Sequence, residues 1–205
     1  MTSILLKDIV DEFESQIDDP EEKFITTGVS WEQYEKLLDQ LGDSLRYRVT
    51  YLEGILEIMS PSRRHERSKS VIGSLLEAYF QERRIQYFPL GSTTLSKEEK
   101  KGGTEPDESY CIGTDKEIPD LAVEVVVTSG GIDKLAVYKK LGVREVWFWQ
   151  NDRFSVYCLR GNEYEKIPAS ELLPNLDLEL LSQYVTRTDT LESILEFRAQ
   201  IRQNK

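Results

Sequence analysis

The sequence predicts an α/β fold in which a mixed β-sheet is flanked by helices. Three observations carry this prediction. The segment from Ile118 to Trp149 reads strand, helix, strand, the order of a parallel crossover. Within it, LAVEVVV (121–127) is almost continuously apolar, as expected of a central strand covered on both faces. On either side, 46–59 and 153–167 combine β-rich runs with turn residues, the pattern of antiparallel hairpins.

The elements follow in order. Residues 1–24 are rich in Asp and Glu with a broken apolar pattern. They read as an acidic N-terminal arm or an oligomer contact, ahead of a single domain over 25–205. Thr26 to Leu41 reads as a helix. Ser30 can cap it, Glu32 and Gln33 fall in its first turn, and Trp31, Tyr34, Leu37, Leu38 and Leu41 recur at helical spacing. Arg46 to Met59 is a hairpin turning at Glu53-Gly54. Ser60-Pro61-Ser62 opens a longer helix to about Arg84, where Val71, Leu75, Ala78 and Tyr79 form a stripe beside Ile72, Leu76 and Phe80. Ile85 to Leu95 is a strand region, and Ser96 to Thr104 a polar, lysine-rich loop. A strand around Asp107 and a turn at 113–115 precede the strand Ile118–Val127. Gly130-Gly131 breaks the chain, Ile132 to Leu141 forms a helix that Gly142 terminates, and Val143 to Gln150 is a second buried strand. A hairpin across Gly161-Asn162 and a helix from Leu191 to Arg202 complete the chain.

Charge and cysteine usage narrow the function classes. The net charge of −11 counts against a protein that coats nucleic acid through bulk attraction, although a local grip on a backbone stays open. The basic clusters at Arg63, Arg64, Arg67 and Lys69, at Arg83 and Arg84, and at Lys97, Lys100 and Lys101 read as solvated faces. The two cysteines, Cys111 and Cys158, form no CxxC pair, so neither a disulfide framework nor a zinc signature is present, and a cytoplasmic location fits. No apolar run approaches the roughly 18 residues of a membrane span. The early acidic residues also argue against a signal peptide.

The chemistry concentrates at Glu124. A carboxylate inside LAVEVVV costs several kcal/mol unless it is paired. A divalent metal would suffice as its partner, and so would an ion pair with Lys134. Strand parity places Asp120, Ala122, Glu124 and Val126 on one face. Asp120 and Glu124 are then roughly 13 Å apart, too far to bind one metal together, whereas a residue on the adjacent strand is roughly 4.8 Å away. Asp107 is therefore the expected partner of Glu124, with Asp120 at the strand entrance. Such oxygen donors suit Mg²⁺ or Mn²⁺. Two acids and a lysine are the parts of a metal-assisted phosphodiester hydrolase. Each residue also has a plain structural reading. Asp107 follows a proline at a strand end, Asp120 could bond loop amides, Lys134 could face solvent, and His65, the single histidine, sits at a helix start. Trp147, Phe148 and Trp149 read as core, not as a base-stacking platform.

Pro106-Asp107 followed by Glu124 resembles the PD-(D/E)xK signature of restriction-endonuclease-like nucleases. More specifically, IPDLAVEVV (118–126), IDKLAVYKKLGVREVWFW (132–149) and YLEGILEIMSPSRRHERSKSVIGSLL (51–76) are similar to the Uma family of putative restriction endonucleases, over roughly Trp31 to Phe154. The resemblance implies a restriction-endonuclease-like core and metal-dependent hydrolysis of DNA phosphodiesters, with duplex DNA as partner and a homodimer as the assembly. It implies that Asp107 and Glu124, with a carbonyl near Val125, hold Mg²⁺ or Mn²⁺, with Asp120 as an outer metal residue. In the superfamily pattern a lysine occupies the position of Val126. Here the resemblance implies that Lys134, from the following helix, replaces it, with Lys139 or Lys140 as fallback. His65 and Glu66 match the position from which the long helix contributes to the site. Two other readings stay open: a non-catalytic binding or assembly module, motivated by Val126 and the acidic balance, and a nuclease acting on RNA.

Overall fold

The computed structural model describes residues 23–42, 46–127 and 129–203. Most of the expected acidic arm, 1–22, lies outside the described residues. Lys23 and Phe24, assigned to that arm by composition, instead begin strand β1 (Lys23–Thr27). The expected helix starts later than Thr26, at Trp31: α1 spans Trp31–Leu41. Ser30 closes a capping box with Gln33 there, so the backbone before it is free to pair as a strand.

Two sheets form, and the second of them is the expected mixed sheet. The first is antiparallel throughout, in the order β1, β3 (Ile55–Met59), β2 (Arg48–Leu52), β6 (Gly102–Thr104), β5 (Leu95–Lys97). The stretch read as a polar loop thus supplies most of two short strands, joined by a 3₁₀ turn at Glu98–Lys100. Glycine hides the strand signal at Gly103, where the Tyr34 ring occupies the space a side chain would need. The outer face of this sheet packs on α1 through Trp31, Tyr34, Leu37, Tyr51, Leu56 and Ile58.

The second sheet runs β11 (Glu163–Ile167), β10 (Arg153–Arg160), β9 (Glu145–Gln150), β8 (Leu121–Val125), β7 (Glu108–Ile112), β4 (Tyr87–Pro89). Only β8 and β9 are parallel, linked by α3 (Lys134–Leu141), which is the crossover expected from 118–149. Both faces of β8 are buried, as its apolar run requires. Leu121, Val123 and Val125 face α2 (Arg63–Arg83), α4 (Leu178–Val185) and α5 (Thr190–Gln203). Ala122 lies on the other face, against Val137, Tyr138 and Leu141 of α3. Helix α4 has only eight residues and no long periodic pattern, which is why its sequence signal is weak. Trp147 and Trp149 belong to the α2-side core, as read. Among the described residues no helix is long and apolar enough to cross a membrane.

Candidate active site between the two sheets

The inner face of the five-stranded sheet meets the α3 face of the six-stranded sheet across a cavity of about 380 Å³. Arg48, Thr50 and Glu57 border it from one side, Glu124, Val125 and Phe148 from the other, and the linker 130–134 crosses it.

Strand parity points Glu124 away from the aromatic core and toward α3. Lys134 and Tyr138, one turn apart on that helix, both reach Glu124 Oε1. Lys134 Nζ lies 3.3 Å away, and the Tyr138 hydroxyl donates a hydrogen bond. Lys134 Nζ also donates to Thr104 Oγ1 at 3.0 Å, on the first sheet. Burial pushes the Glu124 carboxyl up; Lys134 opposes that, and the nearby charge of Asp107 adds to it. Burial also holds the Tyr138 hydroxyl well above its ordinary pKa, so it remains a proton donor.

Asp107 lies one residue before β7. The β7–β8 register pairs Glu108 with Val123, so one further step sets Asp107 opposite Glu124. Its Oδ2 accepts from the Val125 amide at 2.7 Å, which ties Asp107 to the residue after Glu124. His65 reaches the same oxygen from α2, with Nε2 at 3.1 Å. Ser62 caps that helix by accepting from the His65 amide, which fixes the histidine in the first turn, pointing inward. Glu66 stands on the other side of the ring, with Oε1 3.7 Å from Nδ1, and that contact with His65 is foremost in lowering the Glu66 pKa.

Asp107, Glu124, Lys134 and His65 are thus brought to one corner of the cleft. Asp120 is not. Its carboxylate binds Lys116 and the amide of Ile112, the last residue of β7, at the far end of β8. The fallback lysines also point elsewhere, Lys139 to Glu163 and Lys140 to Glu53. Residue patterns gave no warning of Thr104, Thr50, Arg48 or Glu57. Each lies on the first sheet, and alternation marks Glu57 in ILEIM only as facing away from Leu56 and Ile58. That its face meets a second sheet is invisible locally.

Residues 31–189 match the family Uma2, described as "putative restriction endonuclease". This chain belongs to the Uma2 family. Among solved structures, the Uma2 chain is similar to a protein described as a putative nuclease from Anabaena variabilis. The TM-score is 0.50 at 16% identity, over 80% of this chain and 97% of the other. No curated protein matches it. The Uma2 core is restriction-endonuclease-like, with the strand carrying Glu124 at its centre.

The donor set at this corner fits a hard divalent cation. Two carboxylates stand near one lysine, leaving excess negative charge in a buried place, which a divalent ion offsets. Among the described residues no three His, Cys, Asp or Glu side chains converge as a preformed cage. Glu124 borders the open cavity with the buried Asp107 next to it, and such a carboxylate pair suits Mg²⁺, which retains several of its waters.

Proposed function

We propose that this protein is a metal-dependent endonuclease that hydrolyses DNA phosphodiester bonds. The observation that carries the reading is the convergence of Glu124 and Lys134 at one cavity, with the buried Asp107 held next to Glu124 through the Val125 amide. Asp107 and Glu124 would hold Mg²⁺ or Mn²⁺. When bound, the ion supplies a bound water of lowered pKa and charge compensation at the scissile phosphate. The chain's own groups do the rest. Tyr138 orients Glu124, and the Val125 amide and His65 hold Asp107. Lys134 keeps an ammonium within reach of the cavity, where it offsets negative charge as it develops on the phosphate.

Cleavage of supercoiled plasmid with and without Mg²⁺ tests the proposal. Asp107→Ala and Lys134→Ala are each expected to slow cleavage by roughly a hundredfold or more. Lys140→Ala, whose ammonium is bound to Glu53 outside the cleft, leaves the rate unchanged. Parallel assays on RNA and single-stranded DNA decide the substrate, and sedimentation decides whether the acting species is a homodimer. The second reading, a non-catalytic binding module, is favoured by one observation: Lys134 and Tyr138 already satisfy Glu124 internally. Metal-independent stability together with no cleavage of any of the three substrates would establish it in place of the nuclease.

A further inference from the structure

The site acids come from the six-stranded sheet, yet the five-stranded sheet holds the lysine. Residues 129–133, between β8 and α3, adopt neither helix nor strand. Two long-range hydrogen bonds tie this linker to the opposite sheet. Glu57 Oε2 accepts from the Ile132 amide at 2.8 Å, and Lys23 Nζ donates to the Gly130 carbonyl at 2.8 Å. The approach at Glu57 is so close that a Cβ on residue 131 would lie 2.1 Å from the same Oε2. Gly131 also has φ +117°, a conformation that other residues rarely adopt.

Ile132 leads directly into Asp133, which caps α3 by accepting from the Leu135 and Ala136 amides, and then into Lys134, the first residue of that helix. The bond to Ile132 therefore fixes where the helix begins. The tip of Lys134 is held from the same sheet, by Thr104 Oγ1. Register links the two anchors: Glu57 pairs with Thr50, and Thr50 pairs with Thr104, their hydroxyls 3.1 Å apart. One row across β3, β2 and β6 thus grips the lysine at the backbone just before it and at its ammonium.

We infer that Glu57 is a positioning residue for Lys134, setting the start of α3 through the Ile132 amide so that the ammonium meets Glu124. Glu57 is 4% exposed, and its role needs no contact with substrate. The inference rests on the proposed nuclease reading only for the catalytic duty of Lys134.

The test follows acetylation of individual lysines in the full-length chain by N-hydroxysuccinimidyl acetate, read by peptide mass spectrometry. Lys97, bonded to the Leu141 carbonyl at the other end of α3, serves as internal reference. In Glu57→Ala, labelling of Lys134 is expected to rise about fivefold with Lys97 unchanged, because one buried hydrogen bond restrains the linker. Glu57→Gln keeps an acceptor oxygen and is expected to restore labelling to within about twofold of the natural chain. Should Glu57→Ala not fold, Gly131→Ala displaces the same contact and is expected to expose Lys134 in the same way. Unchanged labelling of Lys134 in the folded variant, or a parallel rise at Lys97, overturns the inference. Labelling requires no catalysis. If the natural chain cleaves nothing, the nuclease reading fails and the positioning result stands.

Discussion

Tyr138 donates its hydroxyl to Oε1 of Glu124, the same oxygen that faces the Lys134 ammonium. The phenol and the carboxylate are both buried, so neither can exchange this bond for one to bulk water. A buried hydrogen bond to a charged group contributes about 1.5–3 kcal/mol. Tyr138→Phe is therefore expected to lower the unfolding free energy by about that amount, measured by urea denaturation. A loss below roughly 0.5 kcal/mol would mean that Lys134 alone satisfies the carboxylate.

Two buried glutamates in adjacent parallel strands should respond oppositely to amide substitution. Glu145 accepts from Trp147 Nε1, Ser170 Oγ and the Glu171 and Leu172 amides, at 2.7 to 3.0 Å. A glutamine there sets an NH₂ group against donors, and Glu145→Gln is expected to cost about 2–4 kcal/mol. Glu124 has a raised pKa, so the fold disfavours its ionised form, and Glu124→Gln removes that cost along with the charge. It is expected to change stability by less than about 1 kcal/mol while cleavage is lost, the trade of stability against activity typical of site residues. Thermal melts and plasmid cleavage on both variants check the contrast, and strong destabilisation by Glu124→Gln would assign that residue to the framework.

Glu108, on the α2 side of β7, has its pKa raised to about 7, first by burial and further by Glu77, Asp107 and Glu66, with Lys69 opposing. The sign follows from linkage. The folded pKa lies above the unfolded one, so the stabilising contribution is complete below about 4.5 and is lost as pH rises through about 7. Part of the group is solvated, which reduces the effect to roughly 1–2 kcal/mol. Glu108→Gln in metal-free buffer should leave the melting temperature nearly unchanged at pH 4.5 and raise it at pH 8. Equal shifts at both values would place the effect in packing.

How much of this was legible in the sequence depends on how local each signal is. The core of LAVEVVV, the cap at Ser30, the helix start after Ser60-Pro61-Ser62, the Glu53-Gly54 turn and Gly142 each act within a few residues, and each falls where read. Strand rise separates Asp120 from Glu124 although alternation puts them on one face, and Lys134 and Tyr138 share a helix face by spacing. The strands 95–97 and 102–104 were hidden because glycine and lysine carry little strand preference, and pairing with β2 decides their state.

The sequence by itself determined the central crossover, the buried acid within it and the family to which those residues belong. These rest on periodicity, capping and motif order, all written along the chain. Only the tertiary structure decided that a second sheet closes over the first and that His65 stands beside Asp107. It also decided that Thr104 and Glu57 hold the lysine and the linker before it. The reason is the range of the contacts. Glu57 and Ile132 are 75 positions apart, and their meeting is set by how two sheets pack, which no local pattern encodes.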